Sequence, residues 1–104
     1  MKVLTLVLGL VVASAAFARS QADIDREQAL KSERELDRIK HVVARDAKRM
    51  EHAKKVGDTA GEAKWHAEME KHHAQAKRQK RKVIADRKRA DSSEERERAA
   101  RQSK

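Results

Sequence analysis

Apolar residues recur every seven positions in two stretches of this 104-residue chain. The two series consist of small and medium-sized apolar side chains, namely Ala22, Ala29, Leu36, Val43 and Met50, and then Met69, Ala76, Val83 and Ala90. A seven-residue repeat is the pattern of a coiled-coil seam, in which one narrow apolar stripe of each helix faces a partner helix. The pattern therefore predicts two long helices.

A short stretch rich in turn-forming residues separates the two series. Residues 57–61 read Gly-Asp-Thr-Ala-Gly, and the sequence contains no proline. Gly57 suits the left-handed position that follows a helix, and Thr59 with Glu62 matches a capping box at the start of the next. We therefore predict a first helix over residues 19–56, a turn over 57–61 and a second helix over 62–90.

A turn at this place lets the two helices pair in opposite directions. Residues whose numbers add up to about 119 would then face each other, so that Leu36 lies opposite Val83, and the polar Asp46 lies near His72 or His73. The predicted fold is an all-α, antiparallel two-helix hairpin that resembles a coiled coil. Apolar residues also occur off the stripe, which suggests self-association into a four-helix bundle and leaves the oligomeric state open: Leu30, Val42, Ala47, Ala67, Ala74 and Ile84.

The C-terminal residues carry a second helix-breaking signal. Asp91, Ser92 and Ser93 resemble a helix boundary, and Ser92 with Glu95 could cap a new helix. We expect residues 91–104 to form a charged tail or a short terminal helix, and the ends of the chain to be partly disordered.

The first eighteen residues have the layout of a secretory signal peptide. Lys2 precedes a predominantly apolar stretch over residues 3–12, and Ala16, Phe17 and Ala18 form a small-residue cleavage site. This layout predicts cleavage after Ala18 and export to a periplasm or to the cell exterior. After cleavage no transmembrane span is expected, because a spanning helix needs about 20 apolar residues.

Composition restricts the chemistry that the exported chain can perform. It has no cysteine, so a disulfide framework and thiolate chemistry are excluded. Only nine Leu, Ile or Val residues follow residue 18, which is too few to enclose a water-free pocket. We therefore expect no enzyme and no cofactor.

Positive charge is concentrated in the second half of the chain. Residues 19–62 contain 11 basic and 10 acidic residues, whereas residues 63–104 contain 14 and 7. Residues 77–89, named here the basic segment, hold one acid and eight basic residues: Lys77, Arg78, Lys80, Arg81, Lys82, Arg87, Lys88 and Arg89. Such a segment predicts binding to an anionic surface or polyanion, whether lipid, glycan or nucleic acid. Trp65 is the only aromatic residue after the signal, so sequence-specific reading is not expected.

Other functions are compatible with the same residues. One is a structural or chaperone-like role for a self-assembling hairpin. Another is weak metal binding by His52, His66, Glu70 and His73, although no tight histidine motif occurs and ordinary surface histidines are the favoured interpretation, so that no metal site is predicted. Residues 78–81 also have the Arg-Gln-Lys-Arg form that secretory proteases cut, so processing after Arg81 is a further alternative.

Overall fold

Two long helices make up the protein between residues 19 and 103, the part that the computed structural model describes. Helix α1 spans Gln21–Lys55 and helix α2 spans Thr59–Gln102. They pack against each other along their lengths, and no strand occurs in residues 19–103. The predicted antiparallel hairpin is confirmed, while the predicted signal peptide, residues 1–18, lies outside the described residues.

Helix α1 has a hydrogen-bonded cap at each end. At its start the Ser20 hydroxyl accepts the Asp23 N–H at 3.1 Å, which satisfies one of the free donors of the first turn. At its end Gly57 has a φ of 75°, and the Asp58 N–H donates to the Ala53 carbonyl at 2.9 Å. This is the Schellman arrangement, so the prediction that Gly57 ends the first helix is confirmed.

The turn is shorter than predicted because α2 begins earlier. The Asp58 side chain, and not that of Thr59, caps α2 by accepting the Gly61 N–H at 2.9 Å. The Asp58 carbonyl also accepts the first helical hydrogen bond, from the Glu62 N–H. Thr59 is therefore already helical, and the predicted capping box of Thr59 with Glu62 is wrong.

Helix α2 also continues past the predicted boundary at residues 91–93 and ends at Gln102. Ser93 is 2% exposed, and its hydroxyl donates to Asp25 on α1 at 2.5 Å. The hydroxyl is thus bonded to the other helix and does not compete for the backbone of its own. A separate terminal helix or a tail over residues 91–102 is therefore not formed.

Side chains between the helices form a seam in which buried polar pairs alternate with apolar layers. Three pairs cross the seam at spacings of seven and fourteen residues, namely Asp25 with Ser93, Ser32 with Asp86, and Asp46 with His72. Their numbers all add up to 118, within one residue of the predicted register. The expected approach of Asp46 to His72 is confirmed, with a distance of 2.6 Å between Asp46 Oδ2 and His72 Nδ1.

The seam is tighter at the open end of the hairpin than near the turn. Its buried apolar residues include Ala29, Leu36, Val83 and Ala90 toward the open end. Toward the turn, the predicted seam residues Val43, Met50, Met69 and Ala76 are only half-buried. The apolar layers near the turn therefore leave part of their surface to solvent.

Replacing Ser32 tests how the polar pairs act. We expect Ser32→Ala to lower the free energy of unfolding by about 1–3 kcal/mol, because Asp86 is buried and would lose its cross-helix donor. The double variant Ser32→Ala with Asp86→Leu should recover much of that loss, since it removes both polar groups together. Denaturant unfolding measures both values. The single variant Asp86→Leu completes the cycle, and a loss in the double variant equal to the sum of the two single losses would contradict a coupled pair.

Candidate anion-binding surface

All eight basic side chains of the basic segment are exposed on α2. Thirteen helical residues with a rise of 1.5 Å extend over about 18 Å. The seam positions within this stretch are Gln79, Val83 and Asp86, and the cationic side chains occupy eight of the ten other positions. The exposed residues Ile84 and Ala85 separate them into two cationic groups, residues 77–82 and 87–89.

Carboxylates of the hairpin neutralise only part of this surface. Arg87 pairs with Glu33 of α1, and Arg89 pairs with Asp86 at 3.3 Å. The other six basic residues of the segment make no ion pair within residues 19–103. Glu35 has a pKa below its ordinary value chiefly because Arg38 donates hydrogen bonds to it, and the charge of Lys82 contributes less.

Three of the six, Lys77, Arg81 and Lys88, lie on the side of α2 that faces away from α1. They are spaced by four and seven residues, which keeps them on one side of a helix, and the seam residues Val83 and Ala90 lie on the opposite side. We name these three residues the outer stripe. They can reach a large anionic partner without disturbing the seam.

Three of the four acidic residues that follow the basic segment contact α1. Arg26 of α1 contacts Asp91 at 3.0 Å and Glu94 at 2.7 Å, and these bonds raise its pKa, with Glu94 contributing most. Glu97 accepts the Ala22 N–H at 3.1 Å, so a side chain of α2 helps to cap α1. These three carboxylates hold the open end of the hairpin together and do not neutralise the basic segment.

Within residues 19–103 the histidines and Glu70 do not come together as the weak metal site that the sequence offers as an alternative. Of the four candidate ligands His52, His66, Glu70 and His73, only His66 and Glu70 are paired, at 3.2 Å on the exposed side of α2. Within residues 19–103 no group of three or more potential ligands is close enough to hold a metal ion. His72, which was not among the candidates, has a structural contact with the buried Asp46.

Trp65 is engaged by cations of the hairpin itself. The Arg49 guanidinium lies 4.6 Å from the centre of its rings and the Lys64 ammonium lies 5.1 Å from it. Both distances are in the range of a cation–π interaction. The indole therefore stabilises the end of the hairpin near the turn. Its rings are half-buried, and Arg49 and Lys64 occupy the positions in which a nucleic-acid base would stack on them.

Comparisons of the chain with protein-family models, with curated proteins and with solved structures found no match. Within residues 19–103, neither helix combines the length and the apolar character needed to cross a membrane.

The electrostatics of the open end predict a loss of stability in acid. The pKa of Asp25 lies below its ordinary value, mainly because Ser93 donates a hydrogen bond to the carboxylate, with Gln21 and then Arg89 and Arg96 contributing less. A carboxylate whose pKa is lowered by folding stabilises the folded state above the pKa of the unfolded chain, about 4, and loses that contribution as the pH falls.

We expect Ser93→Ala to reduce the stability of the hairpin at pH 7 and the difference from the parent to shrink as the pH falls below about 4. Denaturant unfolding at pH 7, 5 and 3 measures this change. Ser92→Ala is the matched control, because Ser92 is exposed on the same helix. A difference between parent and Ser93→Ala that is as large at pH 3 as at pH 7 would contradict the proposed role of the carboxylate.

Proposed function

We propose that this chain is an exported helical binding protein that adheres to polyanions through the basic segment of α2, without sequence specificity. The observation that carries the proposal is the exposure of all eight basic side chains, six of which lack an ion pair within residues 19–103. Clustered Lys and Arg side chains bind polyanions by displacing the counterions that surround them. Nucleic acid, acidic glycans and anionic lipid surfaces all offer such charge.

The absence of sequence specificity follows from the side chains in the basic segment. Long, exposed Lys and Arg side chains contact phosphate, sulfate or carboxylate groups without distinguishing one repeat from another. The segment contains no aromatic residue, and Trp65 is flanked by Arg49 and Lys64. Binding is therefore expected to depend on charge density and on salt.

A salt titration of binding to heparin, duplex DNA and anionic vesicles tests the proposal. The test variant carries Lys77→Gln, Arg81→Gln and Lys88→Gln, which removes the outer stripe. The matched control carries Arg45→Gln, Lys48→Gln and Lys71→Gln, which removes the same number and types of charge from exposed positions outside the segment.

For duplex DNA each lost phosphate contact reduces the slope of log affinity against log salt by about 0.9. We therefore expect the slope for the test variant to fall by about 2–3, and the slope for the control to fall by less than about 1. Binding that is absent at low salt, or equal at low and high salt, would refute the proposal. Equal losses in the two variants would refute the assignment to the basic segment.

Export is proposed from the layout of residues 1–18. If they form a cleaved signal peptide, the N-terminal sequence of the protein recovered outside the cytoplasm begins at Arg19. Full-length protein retained in the cytoplasm would contradict the proposal. The same material shows whether the chain is cut after Arg81, since that cut would release a fragment that begins at Lys82.

Self-assembly into a structural or chaperone-like bundle is the second candidate function. Ile24, Leu30 and Ile84 support it, because each is nearly half-exposed. These residues do not form one stripe, since Leu30 and Ile84 directly follow seam positions on different helices and lie away from the seam. Sedimentation at high protein concentration distinguishes the candidates, because a strict monomer would exclude self-assembly.

A further inference from the structure

Charged residues that flank one side of the seam form a ladder of pairs between the helices. Arg26 contacts Glu94, and seven residues further along α1 Glu33 contacts Arg87. The numbers of each pair add up to 120, so the next step of the ladder places Lys40 opposite Lys80. The two earlier steps pair opposite charges, whereas this step brings together two ammonium groups.

An elongated trough lies at this interruption of the ladder. It consists of two adjoining cavities of about 380 and 570 Å³ that share Val43, His73 and Lys77. Leu36, Val43, Ala76 and Met69 supply most of its apolar surface, and Lys40 and Lys80 lie along the part nearer the open end. Lys77 of the outer stripe and the carboxylate of Glu70 line its edge on the outer side of α2. From Met69 to Lys80 the trough follows α2 for about 16 Å.

We propose that this trough binds an amphiphile with one acyl chain and one anionic headgroup. The acyl chain would cover the half-buried residues Val43, Met69 and Ala76, and the headgroup would lie between Lys40 and Lys80. The proposal deepens the proposed function and rests on it in part, because Lys77 and Lys80 belong to the basic segment. Lys40 and the apolar residues do not belong to the segment, so the two proposals can be separated.

Charge and width favour an amphiphile over a second copy of the chain. A second hairpin would bring the same lysines to the trough and place like charges against each other. A partner helix would have to pack against an apolar surface about 100° wide along its whole length. Beyond the trough, the same side of the hairpin carries charged residues such as Arg26 and Glu33, so the apolar surface does not continue. An acyl chain needs only the narrow apolar strip between two helices whose axes are about 8–10 Å apart.

The substitution Lys40→Glu separates amphiphile binding from folding. It places a carboxylate opposite Lys80 and so restores opposite charges at this step of the ladder. Lys48→Glu is the matched control, because it makes the same change of charge at an exposed residue of α1 that does not line the trough. Calorimetry on the protein as isolated measures the binding of dodecanoate below its micelle concentration, and thermal unfolding of each variant measures its stability.

We expect Lys40→Glu to weaken dodecanoate binding at least fivefold without lowering the midpoint of thermal unfolding. Lys48→Glu should change the affinity less than twofold. For the parent, affinity should rise about two- to fourfold with each methylene added between octanoate and dodecanoate, because each added group buries apolar surface. Dodecyltrimethylammonium, which has the same chain with a cationic headgroup, should bind at least tenfold more weakly than dodecanoate.

Any of three results would refute amphiphile binding in the trough. The first is an affinity for dodecanoate no higher than that for acetate, and the second is an affinity for dodecyltrimethylammonium equal to that for dodecanoate. The third is an equal effect of Lys40→Glu and Lys48→Glu on dodecanoate binding. Heparin binding by the same proteins tests the proposed function independently. Heparin binding that survives while dodecanoate binding fails rejects the trough alone, and the reverse rejects polyanion adhesion alone.

Discussion

Hydrogen bonds buried between the two helices determine how the rest of the hairpin is arranged. Much of the apolar seam is alanine, and alanine layers of similar size would tolerate a sliding of one helix along the other. A sliding of one residue would remove the cross-helix partners of the buried residues Asp25, Asp46 and Asp86. A buried carboxylate that loses such a hydrogen bond costs more than an alanine contact contributes, so the polar pairs select one register. Polar residues in coiled-coil seams have this role in other proteins.

The register in turn determines where charge accumulates. At the open end it brings Arg26 to Asp91 and Glu94, which neutralises that end. One step further along the ladder Arg87 meets Glu33, and at the next step Lys40 lies opposite Lys80. The middle of the hairpin therefore carries uncompensated positive charge on the outside of α2 and along one side of the seam. These two surfaces carry the proposals about function.

The two proposed modes of binding differ in their physical origin. Adhesion of a polyanion to the outer stripe depends on the release of counterions and weakens steeply with salt. Binding of an amphiphile in the trough adds the burial of apolar surface, which salt weakens little. A hairpin with few large apolar residues has little core with which to build an enclosed pocket. A groove between two helices is the apolar site that such a chain can still offer.

The heptad spacing, the absence of proline and Gly57 were sufficient to predict the hairpin and its register, because the period of an apolar stripe and a left-handed glycine act locally. They also placed Asp46 near His72, and the clustering of charge in residues 77–89 follows from the sequence directly.

Local signals failed where the partner of a side chain is distant in sequence. Residues 91–93 resembled a helix boundary, but the Ser93 hydroxyl donates to Asp25, 68 residues earlier, and α2 continues through them. That Lys40 lies opposite Lys80 likewise cannot be predicted from the sequence of either helix alone. The sequence by itself determined two helices and one turn, and the packing of the helices decided which polar groups are buried and which cations stay unpaired, because burial and pairing depend on both helices at once.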